Sequence, residues 1–427
     1  MIDQRLLLDD FETTAAALAT KQVDRETLEQ ARDAVIAHRE LLRRVEETRH
    51  ASNRAAEQIG ALVRGGEQRP AELVEESRAL KDQAAAAERD LRDADARSRD
   101  LLLRIPNLPS PEAPVGTSEA DNVVTEVCYY DERRYEGREF KPHWEIGEEL
   151  GIYDALRAAK ISGSMFALLR GDGARLLRAL IAFGLDLNAG QYEEIAPPHM
   201  VRSETFTATG HLPKFEEDAY RLRDDDLWMI PTGEVPLMSL HRDELLDEGD
   251  LPKRYMAYTV CFRREAGSHG KDTRGMQRLH EFHKVELLKL CTPEQAEAEF
   301  ASLLSDARRT LELLELPYRL VDLCTGDLTF SSTRIIDLEA YAPGTQRWLE
   351  VSSVGDFGNF QTRRGSIRFR PSGGGRPRFA HALNASAMAT PRVWAALLEH
   401  GYEPETATVR LPAALVPYFG AERFPAT

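Results

Sequence analysis

The chain has few cysteines and no long apolar run. Its four cysteines, Cys128, Cys261, Cys291 and Cys324, lie far apart and form no C-x-x-C pair. This argues against a cysteine-ligated zinc site and fits a reducing cytosol with free thiols. No apolar stretch approaches the roughly 18 residues of a membrane span, and no basic segment followed by an apolar one opens the chain. We therefore expect a cytoplasmic protein without a membrane segment.

The chain also has fewer basic than acidic residues. The chain has 55 Lys and Arg against 71 Asp and Glu, a formal net charge of -16. This disfavours non-specific binding of polyanions by the whole surface, although a local basic patch can still bind nucleic acid. With 427 residues, of which 42% are hydrophobic, the chain is long enough for one large globular domain and a smaller one.

Residues 1–104 have the composition of long helices, rich in Ala, Glu, Arg and Leu. Two sets of positions repeat every seven residues in the second half: Leu73, Leu80, Ala87, Ala94 and Leu101, and, offset by four, Ser77, Ala84, Leu91 and Ser98. A less regular repeat runs through the first half: Leu28, Val35 and Leu42, then Val45, Ser52 and Ile59. Because glycines 65 and 66 and Pro70 interrupt the repeats, the pattern predicts an antiparallel helical hairpin with a coiled-coil seam.

Arginines gather toward the turn end of the first predicted helix. They are Arg39, Arg43, Arg44, Arg49 and Arg54. One interpretation is a solvated helix face with i,i+4 pairs such as Glu40–Arg44. The other is a stripe that contacts phosphates of a nucleic acid. The charges alone favour the solvated face.

The remainder of the chain predicts a linker and a larger domain. Residues 105–116 are rich in proline, which keeps the backbone extended and ends the preceding helix. Residues 117–427 mix short strands with helices and lack a regular βαβ alternation. This favours an α+β fold on an antiparallel sheet over a doubly wound fold.

The segment from Cys261 to Glu286 carries the clearest chemical pattern. A short apolar stretch leads into Arg263-Arg264-Glu265, a glycine-rich charged loop follows, and Arg278, His280, Phe282 and Glu286 then stand at even spacing. Alternate residues of a strand share a face, so the pattern predicts a hairpin whose face carries arginines, a ring and carboxylates. Guanidinium groups suit phosphates, a flat ring suits a base, and a carboxylate suits an ammonium. An exposed hairpin with salt bridges is the alternative.

The same segment closely resembles motif 2 of bacterial seryl-tRNA synthetases. The shared pattern is F-R-x-E-A-G-S-x-G-K-D-T-R-G followed by R-x-H-x-F-x-K-V-E. The helix and strand over residues 171–198 resemble motif 1 of class II synthetases, which forms their dimer, and residues 383–392 resemble motif 3. The resemblance covers essentially the whole chain. It implies a homodimer whose N-terminal coiled coil grips the long variable arm of serine tRNA, so it favours the phosphate-contacting interpretation of the arginine stripe.

The resemblance implies a two-step reaction with ATP and Mg²⁺. Serine is first activated to seryl-adenylate and then transferred to the tRNA, with Arg263 and Arg392 as the catalytic cations. The ATP-binding residues that it implies are Arg263, Arg264, Glu265, Arg278, Phe282, Glu350, Val351, Ser352, Ser353 and Arg392. Among these, Glu350 and Ser353 match the magnesium ligands of the family, and their hard oxygen atoms suit that ion.

The resemblance also implies a pocket for L-serine. Its residues come from three separate segments of the chain and are Thr232, Gly233, Glu234, Arg263, Glu286, Asn384 and Ser386. Carboxylates suit the ammonium of the amino acid. A site that hydrogen-bonds the serine hydroxyl rejects alanine, because its buried polar groups would be left unpaired.

The chain departs from the family pattern after Ser353. The family often reads S-S-C-S-N, whereas residues 352–356 here read Ser-Ser-Val-Gly-Asp. Asp356 adds a negative charge near the expected ATP site, which either weakens nucleotide binding or is offset by Arg363 and Arg364. The departure leaves open whether the enzyme is a housekeeping one or a specialised paralogue.

Three functions are therefore weighed. The first is a serine–tRNA ligase that also charges selenocysteine tRNA where one exists. The second is a paralogue that delivers activated serine to a non-tRNA acceptor, against which the intact arm argues. The third is a non-catalytic homologue, against which the retention of Arg263, Glu286, Glu350 and Arg392 argues.

Overall fold

The chain folds into two compact units. The computed structural model describes residues 1–66, 68, 70–266 and 274–425. Its internal contacts divide the chain into Met1–Pro106 and Asn107–Thr427, so the division falls inside the proline-rich segment. Asn107 belongs to the second unit, where its side-chain amide donates to the carbonyls of Ser331 and Phe357, each at 2.9 Å. None of the helices in the described part of the chain has the length and apolar character to cross a membrane.

The first unit is helical. Its helices are α1 (Gln4–Asp9), α2 (Phe11–Ala19), α3 (Arg25–Arg64) and α4 (Ala71–Leu103). The long helices α3 and α4 pack against each other, as the heptad pattern predicts. Gly65 caps the end of α3 and Pro70 precedes α4, so the breaks in the sequence pattern mark the turn of the hairpin.

The seam between the long helices follows the predicted positions with one exception. In α4 the predicted positions are buried or half-buried, and Ala84, Ala87 and Ser98 are buried. In α3 the prediction for Leu42 is wrong, because this side chain is 40% exposed and Leu41 is half-buried instead. The half-buried stripe steps by three residues from His38 to Leu41, a local shift of the heptad register that a strict seven-residue count misses.

The second unit combines helices with an extended sheet. Its described helices are α5 (His143–Glu149), α6 (Ala155–Ser162), α7 (Asp172–Asn188), α8 (Ser203–Thr209), α9 (Glu234–Met238), α10 (Ala296–Leu313), α11 (Phe360–Arg364), α12 (Thr390–Gly401) and α13 (Val416–Phe419). Its described strands are β1 (Val123–Cys128), β2 (Glu193–Glu194), β3 (Met200–Val201), β4 (Trp228–Met229), β5 (Leu245–Asp247), β6 (Lys253–Phe262), β7 (Glu281–Cys291), β8 (Tyr318–Asp322), β9 (Arg334–Ala342), β10 (Arg347–Asp356), β11 (Arg368–Arg370), β12 (Arg378–Phe379), β13 (His381–Ala389), β14 (Tyr402–Glu403), β15 (Thr408–Arg410) and β16 (Arg423–Phe424).

The main sheet is antiparallel at its centre, which confirms the predicted α+β class. Its strands lie in the order β1-β8-β9-β10-β13-β7-β6-β2. Neighbouring strands run antiparallel except β2, which pairs parallel with β6. Helices α7, α10 and α12 pack against the central strands. Strands β6, β7, β10 and β13 therefore lie side by side and bring distant segments of the chain together.

Strand β7 begins later than the sequence pattern predicts. Arg278 and His280 precede the strand, which starts at Glu281, so the predicted even alternation from Arg278 is wrong. The backbone N–H of His280 donates to the Met165 carbonyl at 2.9 Å, away from β6, whereas its carbonyl still accepts the Arg263 N–H at 2.9 Å. Gly275 turns the backbone with a φ of 69°. The chain therefore approaches the strand through a turn that positions Arg278 independently of the pleat.

Helix α12 depends on its apolar side for stability. Leu398 is 0% exposed in the main hydrophobic core, whereas Leu313 at the end of α10 is 40% exposed. We expect Leu398→Ala to lower the free energy of unfolding by about 2–5 kcal/mol, because it removes apolar contacts and leaves a cavity. The matched control Leu313→Ala should cost about 1 kcal/mol or less. Urea unfolding followed by tryptophan fluorescence measures both, and equal losses would contradict the assignment of α12 to the core.

Candidate active site

A buried carboxylate organises a polar pocket at the centre of the sheet. Glu286 lies on β7 opposite Ser386 of β13 and is 1% exposed. It accepts hydrogen bonds from Thr232 Oγ1 and Asn384 Nδ2, each at 2.9 Å. These residues come from three segments that the sheet brings together. The pocket thus contains Thr232, Glu286, Asn384 and Ser386 of the predicted serine-binding set.

Lys284 is a member of this pocket that the sequence analysis missed. Its ammonium donates to Thr232 Oγ1 at 2.7 Å and forms an ion pair with Glu286. The lysine is 7% exposed. Its position two residues before Glu286 on the same strand was the available signal, because a lysine inside a buried strand needs a charged partner.

Gly233 brings the backbone close to the pocket. A Cβ at this position would lie 3.0 Å from Glu286 Cβ and 3.1 Å from Thr259 Oγ1. Glycine therefore allows the Thr232–Glu234 segment to approach β7 at this distance. The same segment opens the short helix α9, whose first residue is Glu234.

Glu234 is a buried carboxyl with an altered acidity. Burial raises its pKa to about 7, and the neighbouring charge of Glu286 adds to the rise. The side-chain amide of Gln361 donates to Glu234 and also to the Thr209 carbonyl, the latter at 3.1 Å. Gln361, which the sequence analysis also missed, opposes the rise because it stabilises the ionised form.

A cationic cavity adjoins the polar pocket. Its lining includes most of the predicted ATP-binding residues together with two residues of the polar pocket: Arg263, Glu265, Arg278, Phe282, Glu350 and Arg392, with Lys284 and Ser386. The Arg263 guanidinium lies 5.1 Å from the centre of the Phe282 ring. Arg278 Nη1 lies 3.1 Å from Glu265 Oε2. Arginines, a ring and carboxylates therefore share one cavity.

Arg264 faces a larger cleft of about 1200 Å³. The cleft is also lined by Arg263, Glu265, Arg278 and residues 213–221. The glycine-rich charged loop that follows Arg263-Arg264-Glu265, residues 267–275, lies largely outside the described residues. The described part resumes at Arg274.

Arg392 and Glu350 are brought together by the fold. Arg392 Nη1 donates to the Glu350 carbonyl at 2.6 Å and lies 3.4 Å from Glu350 Oε2. Arg392 Nε also donates to the Gln277 carbonyl at 3.2 Å. The arginine at the start of α12 thereby connects β10 to the segment that follows the glycine-rich loop.

The segment Glu350–Ser353 is irregular. A β-bulge between Glu350 and Ser352 shifts the pairing with β9, and it leaves Val351 and Ser352 both buried. Ser352 Oγ donates to the Ser386 carbonyl at 2.5 Å. Glu350 and Ser353 are the more exposed members of the segment, so a single bulge separates the two predicted metal ligands from their buried neighbours.

The surroundings of Ser353 fit a hard cation. Ser353 pairs with Asp337 on β9, and Asp337 Oδ1 is a buried oxygen without a hydrogen-bond partner among the described residues. Burial, with the charge of Glu350, raises the pKa of Asp337. The described residues contain no group of three or more His, Cys, Asp and Glu side chains arranged to hold a metal. Two carboxylates and a hydroxyl suit Mg²⁺, which keeps several of its waters.

Asp356 ends β10 and is half-buried. Its Oδ1 accepts a hydrogen bond from the Gly358 backbone N–H at 2.7 Å. Burial raises the pKa of Asp356, while the hydrogen bond from the Gly358 N–H and the positive charge of Arg334 oppose the rise. The predicted offset by Arg363 and Arg364, and the effect of Asp356 on nucleotide binding, stay predictions.

The arginine stripe lies on α3 in the first unit. Its members, Arg39, Arg43, Arg44, Arg49 and Arg54, are all exposed. Arg49 pairs with Glu88 of α4 at 2.7 Å, and Arg43 lies 3.9 Å from Glu47. Exposed ion pairs of this kind contribute little to stability, so these arginines can exchange their partners for phosphates at small cost.

Comparison with protein families assigns both units. Residues 1–109 match the seryl-tRNA synthetase N-terminal domain. Residues 214–401 match the class II tRNA synthetase core domain of the G, H, P, S and T enzymes. The serine–tRNA ligase of Synechococcus sp. (strain RCC307) is 46% identical, with 99% of each chain covered. That of Thermomicrobium roseum is 44% identical, with 99% of this chain and 94% of the relative covered.

Solved structures show the same relationship. The seryl-tRNA synthetase of Pyrococcus horikoshii, complexed with ATP, has a TM-score of 0.91 at 33% identity and covers 100% of both chains. The cytoplasmic serine–tRNA ligase of Naegleria fowleri, in complex with AMP, has a TM-score of 0.85 at 23% identity over 99% of this chain and 98% of that chain, which supports the fold alone. With similarity over its full length to enzymes of one specificity, the chain belongs to the seryl-tRNA synthetase family of class II aminoacyl-tRNA synthetases.

Proposed function

We propose that the protein is a serine–tRNA ligase that activates L-serine with Mg-ATP and transfers it to the 3′ end of serine tRNA. The observation that carries the proposal is the single cavity lined by Arg263, Arg278 and Arg392 together with Lys284 and Ser386 of the polar pocket. A nucleotide and an amino acid bound in these two parts would meet inside one cavity. Nothing in the comparisons favours delivery of serine to a non-tRNA acceptor.

The polar pocket would hold the amino acid. Glu234 and Glu286 are the carboxylates available to the serine ammonium. Thr232 and Ser386, with Asn384 beside them, supply hydroxyl and amide partners. Lys284 is paired with Glu286 in the structure, and its positive charge partly neutralises the two carboxylates. We assign Lys284 and Gln361 as additional members of this pocket.

The cationic cavity would hold ATP during activation. The serine carboxylate attacks the α-phosphorus, a new C–O–P bond forms, and the bond from the α-phosphorus to pyrophosphate breaks. Because the carboxylate is already ionised, the step needs fixed cations and alignment more than a general base. Arg263 and Arg392 supply the cations, Arg278 holds the triphosphate, and Glu265 and Phe282 hold the adenine.

Glu350 and Ser353 would hold the magnesium ion, with Asp337 as a buried acceptor beside Ser353. When bound, the ion neutralises charge on the phosphates and supports the departure of pyrophosphate. This assignment rests on the hard oxygen donors and on the orphaned Asp337 oxygen.

The second step and the assembly complete the proposal. A hydroxyl at the tRNA 3′ end attacks the acyl carbon, and AMP leaves. The α3 arginine stripe holds the long variable arm of the tRNA, and selenocysteine tRNA would be charged where one exists. We further propose a homodimer, from the resemblance of α7 and β2 to motif 1, and a cytoplasmic location, from the free thiols of the four cysteines.

Amino-acid-dependent exchange of pyrophosphate into ATP tests the activation step. We expect exchange with serine and little with alanine, which lacks the hydroxyl. Arg263→Ala should lower the rate by about 10²–10³-fold, because it removes a fixed charge that stabilises the transition state. Arg410→Ala, at an arginine 54% exposed beside Glu315, is the matched control and should exchange normally. Absence of serine-dependent exchange in the unaltered enzyme would refute the proposal.

The acidity of Glu234 predicts a pH dependence of serine binding. An ionised Glu234 attracts the serine ammonium, and burial raises its pKa to about 7. The KM for serine should therefore fall about tenfold from pH 6 to pH 8, since the ionised fraction rises from roughly a tenth to nine tenths. Gln361→Met removes a donor to the ionised carboxylate, so it should move the midpoint to higher pH. The KM for ATP serves as the control, and a flat serine profile would contradict the prediction.

The arm arginines predict a defect confined to tRNA. Replacement of Arg39, Arg43, Arg44 and Arg54 by alanine should raise the KM for serine tRNA about tenfold or more and reduce its salt dependence, because phosphate contacts are lost. Pyrophosphate exchange should stay within twofold of the unaltered enzyme. The control replaces the exposed arginines 78, 92 and 97 of α4. An unchanged KM for serine tRNA in the arginine variant would restore the solvated-face interpretation of the stripe. If the unaltered enzyme charged a serine tRNA that lacks its variable arm as well as the intact one, a non-tRNA acceptor would be favoured.

A further inference from the structure

A buried histidine–carboxylate pair lies beside the cationic cavity. His143 is the first residue of α5 and Glu399 lies near the end of α12, and both side chains are 0% exposed. His143 Nδ1 lies 2.8 Å from Glu399 Oε1, which also accepts the His143 backbone N–H at 3.1 Å. Glu399 Oε2 accepts the backbone N–H groups of Gly344 and Thr345 at 2.8 and 3.1 Å. Four donors thus satisfy one buried carboxylate.

The other ring nitrogen reaches the segment that follows the glycine-rich loop. The Met276 backbone N–H donates to His143 Nε2 at 2.9 Å. A backbone N–H only donates, so Nε2 is the acceptor and Nδ1 carries the proton that it gives to Glu399. A Cβ on Gly275 would lie 2.1 Å from His143 Nε2. Glycine is therefore needed for the backbone to approach the ring.

Helix α12 holds the same segment at a second point. Arg392, in the first turn of α12, donates to the Gln277 carbonyl at 3.2 Å. Glu399, two turns later, holds Met276 through His143. Arg278 directly follows Gln277 and pairs with Glu265 at 3.1 Å. One helix therefore sets the position of residues 276 and 277, directly before the arginine assigned to the triphosphate.

We propose that His143 is a positioning residue for ATP, held in a single tautomer by Glu399. By accepting the Met276 N–H, it keeps residues 276–278 aligned with α12, so that Arg278 and Arg392 face the same triphosphate. The effect falls on ATP binding rather than on serine binding. The polar pocket is built on β7, β13 and α9, and its hydrogen bonds among the described residues do not involve His143 or Glu399. The inference rests on the proposed ATP-binding roles of the two arginines.

Two substitutions separate the functions of the two ring nitrogens. His143→Asn places an amide near the position of Nδ1 and loses the acceptor for Met276, whereas His143→Gln extends an amide oxygen toward the position of Nε2. We expect His143→Asn to raise the KM for ATP in pyrophosphate exchange about tenfold, the effect of one buried donor left unpaired. The KM for serine should stay within twofold. His143→Gln should bring the KM for ATP back to within about threefold of the unaltered enzyme.

A neighbouring histidine supplies the control. His400 follows Glu399 on α12, and its Nε2 donates to the Tyr341 carbonyl at 2.8 Å. His400→Gln also perturbs a part-buried contact of α12 but leaves Met276 untouched, so both KM values should be unchanged whatever its melting temperature. The proposal is overturned if His143→Asn raises the two KM values equally, or if His143→Gln and His143→Asn behave alike while both are folded.

The test of the His143 role can fail without the proposed function failing, and the two results are distinguishable. Serine-dependent exchange by the unaltered enzyme establishes the activity first, and calorimetric titration with ATP then reports binding without turnover. If His143→Asn fails to fold, Glu399→Gln takes its place, since either orientation of its amide turns the NH2 group toward two of the four donors and so loosens the hold on the ring. A rise of about threefold in the KM for ATP alone is expected there, and an unchanged value overturns the inference.

Discussion

The buried charge of Glu286 is the constraint on which the site depends. A carboxylate at the centre of a sheet, 1% exposed, is stable only when its oxygens receive donors and a cation. Thr232, Lys284 and Asn384 meet this need from three segments. The requirement therefore ties α9, β7 and β13 into one arrangement. The hydrogen bonds and the ion pair that stabilise the buried carboxylate also shape the pocket proposed for serine.

Helix α12 extends this arrangement to the cationic cavity. Arg392 at its start contacts Glu350 and Gln277, and Glu399 near its end reaches Met276 through His143. The helix is fixed to the core by apolar side chains such as Leu398. Apolar packing of the helix thereby fixes the positions of Arg392 and Glu399. Holding these two side chains in place from a mobile backbone would otherwise cost conformational entropy.

Local patterns predicted much of the architecture and part of the site. The heptad repeats located α3 and α4, and the segment around Arg263 identified the cationic cavity, because both signals lie in consecutive residues. The prediction for Leu42 was wrong because a three-residue step in the seam leaves no mark in composition. Lys284 was missed although its place two residues before Glu286 on one strand was a signal, and Gln361 was missed because it lies far from Glu234 in sequence and no local pattern joins the two.

The sequence by itself determined the family, the helical arm and the residue types of the proposed site, since these follow from periodicity and from motifs of adjacent residues. Only the tertiary structure decided which of them meet. It placed Asn384 on Glu286, Asp337 beside Ser353 and His143 on Met276. These contacts join residues up to 133 positions apart through strand order and helix packing. They exist because buried polar groups must find partners in three dimensions, which no local pattern encodes.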